Sequence, residues 1–200
     1  MLDDPQALAA TLVKPHAGDR QVRHIGLFCS FAEGFRRARV MAYPFHESIT
    51  IEVSAPPERL FERLDDHTRL AAHMGRPSLM MLGGRMTYAF DDDAGRAVGS
   101  VIHMGGRVLG IPVGVVEVVT EHDPPRRKVW ETVGRPRLLI IGRYRMGFEI
   151  EPKGAESVLH VFIDFALPAS PTGRLLGRLF VRDYARWCVR RMAADAVRQG

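Results

Sequence analysis

The sequence predicts an α+β domain with the element order β-α-α-β-β-β-β-β-β-α. Two observations support this fold class. Most of the chain consists of segments in which apolar and polar residues alternate, separated by turn residues about every ten positions, as in an antiparallel meander. The final segment, Arg174–Arg198, has apolar residues at helical spacing instead. The chain therefore combines one antiparallel sheet with a long C-terminal helix.

The regular pattern opens with a strand at His46–Ser54, where isoleucine and valine alternate with polar residues. Pro56 and Pro57 follow, and proline suits the first turn of a helix because its missing N–H has no partner there. We therefore expect a short helix that buries an apolar stripe, made of Leu60, Phe61 and Leu64. A second short helix is predicted from Asp66 to Met74.

Six strands are expected next, each ended by a turn rich in glycine, proline or aspartate. In chain order they are Leu79–Phe90, Ala97–Val108, Val113–Glu121, Lys128–Val133, Leu139–Glu151 and Ser157–Leu167. Because side chains alternate between the two faces of a strand, the apolar sets are predicted to face inward. These sets are Tyr88 and Phe90, then Tyr144, Met146, Phe148 and Ile150, and finally Leu159, Val161, Ile163, Phe165 and Leu167. His160, Phe162 and Asp164 are predicted to face outward.

The C-terminal helix has two contrasting faces on a helical wheel. The apolar face, predicted to pack on the sheet, carries Leu176, Phe180, Tyr184, Trp187 and Cys188. The opposite face carries Arg178, Arg182, Arg186 and Arg190. We interpret this arginine stripe as a solvated surface, with contact to an anionic membrane or an acidic partner as the alternative.

Residues 1–40 differ from the rest and are predicted to be an N-terminal extension, whose order the sequence leaves open, ahead of a domain at 41–200. Two hypotheses remain for the extension. It is an accessory arm, or Met41 is the natural start and the preceding segment reflects an over-long gene assignment. Resistance of residues 1–40 to limited proteolysis would exclude the second hypothesis.

Composition limits the possible classes. The chain has 200 residues, 46% hydrophobic and 26% charged, which excludes a disordered chain, a collagen-like fibre and a disulfide-stapled miniprotein. A net charge of +5 is too small to indicate a nucleic-acid partner. Cys29 and Cys188 form no CxxC pair and are expected to be free thiols. Without a secretory signal or a membrane-spanning apolar run, a cytoplasmic location is predicted.

The element order, together with three local patterns, resembles the SRPBCC superfamily, which includes START-related lipid carriers and polyketide cyclase/dehydrase proteins. The patterns are Ile49–Glu62 as an opening strand and helix, Val129–Glu131 as a mid-sheet strand, and Leu175–Ala194 as a closing helix. The resemblance covers about residues 45–198. It implies the helix-grip fold, in which a curved antiparallel sheet wraps round the last helix and encloses an apolar cavity.

Twelve residues are candidates to line such a cavity. They are Tyr88, Phe90, Thr120, Trp130, Tyr144, Met146, Phe148, Phe165, Phe180, Tyr184, Trp187 and Arg191. Apolar and aromatic walls with a few polar groups are typical of hydrophobic ligand pockets, although the same stripes also form ordinary cores. Arg191 lies on the apolar face, so it meets an anionic ligand group or a carboxylate, or it extends to water.

No catalytic motif is present, and neither metal-ligand spacing nor a cofactor-binding fingerprint is found. We therefore expect no cofactor and no metal. The leading hypothesis is a binder or carrier of a hydrophobic small molecule, such as a lipid, isoprenoid or polyketide-like compound. The first alternative is a polyketide cyclase or aromatase using His103 or Tyr144 for proton transfer. The second is an interaction module that uses the arginine stripe.

Overall fold

The computed structural model describes residues 43–66 and 85–197. Its strands are β1 (Phe45–Val53), β2 (Arg85–Phe90), β3 (Val101–Val108), β4 (Ile111–Asp123), β5 (Arg127–Arg137), β6 (Tyr144–Lys153) and β7 (Glu156–Phe165). Its helices are α1 (Pro57–Asp65) and α2 (Pro171–Val197). The predicted α+β class and strand order are confirmed. The predicted helix 66–74 and the extension 1–40 lie outside the described residues, apart from Asp66, which follows α1.

The strands form one antiparallel sheet in the order β1-β7-β6-β5-β4-β3-β2. Strands β2 to β7 follow one another as a meander, as the regular turn spacing predicts. Strand β1 joins at the far side, with Phe45 opposite Phe165 and Val53 opposite Ser157. The first strand therefore pairs with the last, and α2 leaves β7 next to β1.

The predicted side-chain faces of β6 and β7 are confirmed. On β6, alternate residues from Tyr144 to Ile150 are buried. On β7, alternate residues from Leu159 to Phe165 are buried as well. These residues, together with the inward side chains of β1 to β5, form a continuous core beneath α1 and α2. We call this side of the sheet the inner face.

Phe162 points outward as predicted, and yet it is buried. The guanidinium groups of Arg127 and Arg145 lie 5.6 and 5.8 Å from the centre of its ring. Both arginines pair with Glu121, at 2.7 and 3.0 Å. On the side of the sheet opposite the inner face, which we call the outer face, two paired arginines therefore cover this aromatic ring in a cation–π arrangement.

Strand β4 contains two register shifts, one between Gly114 and Val116 and one between Val119 and Glu121. A bulge adds one residue to a strand and reverses the faces beyond it. As a result, Glu121 pairs with arginines of the outer face, while His122 contacts Phe61 of α1 with ring centres 5.6 Å apart. The side chains after the bulge therefore break the alternation that precedes it.

The face by which α2 packs differs from the predicted one. Its buried residues are mostly small: Gly173, Gly177, Val181, Ala185, Cys188, Val189, Met192, Ala193 and Ala196. Leu176 and Phe180, predicted to pack, are 42% and 50% exposed. Small side chains let a helix backbone approach its neighbours closely. A helical-wheel analysis that relies on large apolar residues does not identify such a face. Cys188 is buried as predicted.

Gly177 shows how closely α2 packs. A Cβ atom at this position would lie 2.8 Å from the carbonyl oxygen of Ile140 and 2.9 Å from Cδ2 of Leu167. We therefore expect Gly177→Ala to lower the free energy of unfolding by about 1–3 kcal/mol in urea denaturation, although alanine is the better helix former. Gly154→Ala is a poor control because φ is +65° there. Leu179→Ala, at an exposed position of the same helix, should change stability by less than about 0.5 kcal/mol.

Candidate functional site

A polar cluster interrupts the apolar inner face. Its centre is Glu117 of β4, which is only 2% exposed. The hydroxyl of Tyr144, on β6, donates a short hydrogen bond to Oε1 of Glu117. The Trp130 side chain, on β5, also hydrogen-bonds to this carboxyl group. Three neighbouring strands thus place a carboxyl, a phenol and an indole at one position, which we call the Glu117 cluster.

Burial dominates the electrostatics of Glu117. Removal from water raises the pKa of its carboxyl group, and the hydrogen bonds from Tyr144 and Trp130 lower it in part, which leaves a pKa of about 7. The charge of Glu117 in turn contributes to raising the pKa of Tyr144, whose largest cause is again burial. The carboxyl group can therefore either donate or accept a hydrogen bond near neutral pH.

Three further groups border the Glu117 cluster. Burial, and then the charge of Glu117, raises the pKa of Tyr88 on β2. On α2, burial raises the pKa of Tyr184, and this phenol hydrogen-bonds to Cys188 one turn later. Burial raises the pKa of the Cys188 thiol to about 12, so this thiol is no nucleophile at neutral pH. Side chains from α2 and from four strands therefore converge on one region.

A second polar group joins α1 to the sheet. The ammonium of Lys128, on β5, is fully buried and donates to Oδ1 of Asp65 at 2.6 Å and to the Asp65 carbonyl at 3.0 Å. His122 Nε2 lies 3.0 Å from the same Oδ1. Asp65 is the last residue of α1, so a cation here also complements the helix dipole. Burial lowers the pKa of Lys128, opposed by the hydrogen bond to Asp65.

Several predicted pocket residues do lie together. Tyr88 and Phe90 stack with ring centres 6.2 Å apart. Tyr184 and Trp187 lie 5.9 Å apart on α2. With Trp130, Tyr144 and Met146, these residues line the inner face around Glu117 or pack against the core beside it. Their assignment as ligand-binding residues remains a prediction.

Other candidates lie elsewhere. Phe148 packs edge-on against Phe61 and Trp130, and Phe165 stacks on Phe45 at 5.5 Å, so both belong to the packed core. Phe180 lies half-exposed on α2. Thr120, expected to point inward, lies in the β4 bulge and donates its hydroxyl to the Val129 carbonyl at 3.4 Å.

The remaining charged candidates have distinct surroundings. Arg191 is half-buried on α2. His103 is exposed on β3, so its imidazole does not lie on the buried inner face. In the arginine stripe, Arg186 pairs with Glu47 at 3.0 Å, and Arg182 lies 5.9 Å from the Phe45 ring centre. Half of the predicted stripe therefore packs against β1.

Glu117 is the main residue that sequence analysis missed. It occupies the third position of an alternating inward set, after Val113 and Val115 and before Val119. An acidic residue in register with three valines is the signal that would have identified it. The pairing of Lys128 with Asp65 has no such signal, because 63 residues separate the two.

Within the described ranges, no group of His, Cys, Asp or Glu side chains is arranged to hold a metal ion. In the same ranges, neither helix combines the length and the apolar character that crossing a membrane requires. The carboxyl and phenol groups of the Glu117 cluster can hold a carbonyl or hydroxyl oxygen, or transfer a proton near neutral pH.

Solved structures of similar fold come from distant proteins. A protein from Thermus thermophilus gives a TM-score of 0.56 at 15% identity, covering 77% of this chain and 95% of that one. The Zhui aromatase/cyclase from Streptomyces sp. R1128 gives a TM-score of 0.53 at 16% identity, covering 78% of this chain and 94% of that one. Truncated norcoclaurine synthase from Thalictrum flavum gives a TM-score of 0.55 at 15% identity, covering 78% of this chain and 92% of that one. At these identities the likeness shows the fold alone.

Sequence comparison assigns the family. No curated protein matches the chain. Residues 45–198, which include every described strand and both helices, match the family described as polyketide cyclase / dehydrase and lipid transport. The chain therefore belongs to this family of the SRPBCC superfamily, as its element order and local patterns predict.

Proposed function

We propose that the protein binds a hydrophobic small molecule, such as a lipid, an isoprenoid or a polyketide-like compound, between the inner face of the sheet and α2. Members of the family bind hydrophobic ligands or act as cyclases. The observation that carries the proposal is the Glu117 cluster, a single carboxyl with its donors among apolar and aromatic side chains. This is the composition of pockets that orient an apolar ligand by a few polar contacts.

A purely structural role explains the cluster less well. Burying a carboxyl group is unfavourable, and an apolar residue in its place would pack without that penalty. Buried groups with strongly shifted pKa values are concentrated at functional sites. In addition, α2 makes its close backbone contacts with β1 and β7, while Tyr184 extends from it toward Tyr88 and Glu117. The phenols therefore span the region between the helix and the middle of the sheet.

The proposal is tested with two matched probes, naphthalene and 2-acetylnaphthalene, whose binding is followed through fluorescence of Trp130 and Trp187. We expect saturable one-to-one binding of both. The ketone should bind about 2–10-fold more tightly, because neutral Glu117 can donate to the Tyr144 oxygen and so leave the phenol hydrogen free to bond the ketone oxygen. Tyr144→Phe should abolish that preference and leave naphthalene binding unchanged.

Tyr43→Phe is the matched control. Tyr43 also hydrogen-bonds a glutamate, Glu131, but that pair lies beside Arg143 and Arg145, away from the inner face. This variant should retain the preference for the ketone. Absence of saturable binding of both probes to the natural sequence would refute the proposal.

A cyclase is the second candidate, and the pKa of about 7 at Glu117 is the observation that favours it. Ionised Glu117 would remove a proton from a methyl or methylene carbon, and Tyr144 would donate to the attacked carbonyl. 1-Phenylhexane-1,3,5-trione separates the two functions. A carrier returns it unchanged, whereas a cyclase joins its terminal methyl carbon to the phenyl ketone carbon and releases one water to give 5-phenylresorcinol.

A cytoplasmic location belongs to the same proposal. It is supported by Cys188, which is a buried free thiol.

A further inference from the structure

One end of the sheet combines exposed apolar side chains with arginines. Strands β3, β5 and β7 all finish at this end, so it carries three segments: the β3–β4 hairpin Arg107–Pro112, the loop 134–143, and the start of α2 at 171–180. We call these three segments the basic end. Six of the nine large apolar residues that are exposed in the described ranges belong to it: Leu109, Ile111, Leu175, Leu176, Leu179 and Phe180.

Charge separates the two ends of the sheet. The basic end contains no aspartate or glutamate, and its arginines are Arg107, Arg135, Arg137, Arg143, Arg174 and Arg178. At the opposite end, the β2–β3 connection is acidic, with Asp91, Asp92 and Asp93 against the single cation Arg96. The first acidic residue of α2 is Asp183, beyond the basic end. The cationic end is therefore complementary to an anionic surface.

The tip of the β3–β4 hairpin supplies an independent observation. Leu109 has φ +50° and Gly110 has φ +78°, so both central residues of this two-residue turn are left-handed. Glycine, asparagine and aspartate suit the first of these positions, and a bulky residue there is unusual. The Leu109 side chain is 71% exposed, so packing within the protein does not explain it. Such an outlier points to a contact made outside the chain.

We propose that the basic end docks on the surface of an anionic phospholipid bilayer. Leu109, Leu175, Leu179 and Phe180 enter the interfacial region. The exposed arginines of the basic end contact the lipid headgroups, and these are Arg107, Arg135, Arg137, Arg174 and Arg178. Exposed apolar residues beside arginines are the pattern of peripheral membrane contact, in which apolar burial and attraction to anionic lipid act together. Spanning the bilayer is no part of this contact. The inference is independent of the proposed ligand, because it depends only on surface residues.

The test is co-sedimentation of the full chain with vesicles of phosphatidylcholine alone, and of phosphatidylcholine mixed with phosphatidylserine. We expect at least about tenfold stronger partitioning onto the mixed vesicles, decreasing as salt is added. Leu175→Ser/Leu179→Ser and Arg174→Gln/Arg178→Gln should each reduce this partitioning about tenfold or more. The matched control is Val98→Ser/Val197→Ser, which changes exposed apolar residues outside the basic end and should have no effect.

Leu109→Gly separates docking from folding. Glycine tolerates the left-handed turn, so this variant should keep or raise the midpoint of urea denaturation while it weakens vesicle binding. Three outcomes would overturn the proposal. These are absence of binding to mixed vesicles, equal binding to both vesicle types, and sedimentation equilibrium showing that the same leucines hold two copies of the chain together in the absence of lipid.

Discussion

Replacing Asp65 by alanine is expected to lower the free energy of unfolding by about 3–5 kcal/mol, because it removes the carboxylate that faces a buried ammonium. Lys128 Nζ is fully buried and lies 2.6 Å from Oδ1 of Asp65. An ammonium in this position loses its hydration, and the lowered pKa of Lys128 reflects that loss. His122 loses its contact with the same oxygen. Urea denaturation at pH 7 measures the change.

Two further variants test whether the loss of stability in Asp65→Ala comes from the buried charge of Lys128. Asp65→Ala/Lys128→Met removes both charges and should recover most of the lost stability, because a methionine side chain is buried without the penalty of an unpaired charge. Asp123→Ala breaks an exposed pair with Arg126, at 2.9 Å, and should cost less than about 1 kcal/mol. A loss below about 1 kcal/mol for Asp65→Ala would show that Lys128 is adequately stabilised by its other contacts.

Most of the strand faces could be predicted from local patterns. In β6 and β7, side chains alternate without a bulge, so the apolar positions from Tyr144 to Ile150 and from Leu159 to Phe165 identify the inner face. Strand β4 follows the same rule only up to Val119. The bulge at Thr120 adds a residue whose presence depends on pairing with β5, and the alternation of one strand contains no information about that pairing.

The packed face of α2 is a different kind of error. Hydrophobicity on a helical wheel favours Leu176 and Phe180, whereas close packing selects Gly177, Val181 and Ala185. The small size of the second set matters only once the loop carbonyl of Ile140 and the side chain of Leu167 are known to lie against it. Three-dimensional proximity therefore decides this face.

The same reasoning explains what was missed at the site. The phenols of Tyr88, Tyr144 and Tyr184 could be proposed as inward polar groups because each lies within an apolar stripe. Glu117 was overlooked because a strand is ordinarily recognised by its apolar positions, and an acid within that set contradicts the pattern. A polar residue at an inward position is the type of local inconsistency that marks functional sites.

The second large effect concerns the pH dependence of stability. Burial raises the pKa of Glu117 from 4.5 to about 7, so between these values the folded chain binds more protons than the unfolded chain. Stability contributed by this group is therefore present below pH 4.5 and decreases as pH rises, by about 3 kcal/mol in total, until it levels off above pH 7. Because glutamine does not titrate, Glu117→Gln should remove this decrease.

The measurement is urea denaturation of both proteins at pH 5 and at pH 8. At pH 5 the free energy of unfolding of Glu117→Gln should be close to that of the natural sequence. At pH 8, where glutamate is ionised and buried, the variant should be more stable by about 3 kcal/mol. If the two proteins differ in free energy of unfolding by the same amount at pH 5 and at pH 8, then the pKa of Glu117 is not raised by folding. All other carboxyl groups are shared by the two proteins, so their titration cancels in the comparison.

Tyr144→Phe tests the origin of the shift. The Tyr144 hydroxyl donates to Glu117 and lowers its pKa, so its removal should raise that pKa further. The decrease in stability should then still begin near pH 4.5 but extend to higher pH and become larger. Ionised Glu117 accepts the Tyr144 hydrogen, whereas neutral Glu117 can donate to the Tyr144 oxygen and leave that hydrogen free for a ketone oxygen. If the cluster recognises ligand, binding of 2-acetylnaphthalene should therefore change with pH across the titration of Glu117, and this change should be absent in Glu117→Gln. An unchanged pH dependence of stability in Tyr144→Phe would mean that the Tyr144 hydrogen bond does not contribute to the pKa of Glu117.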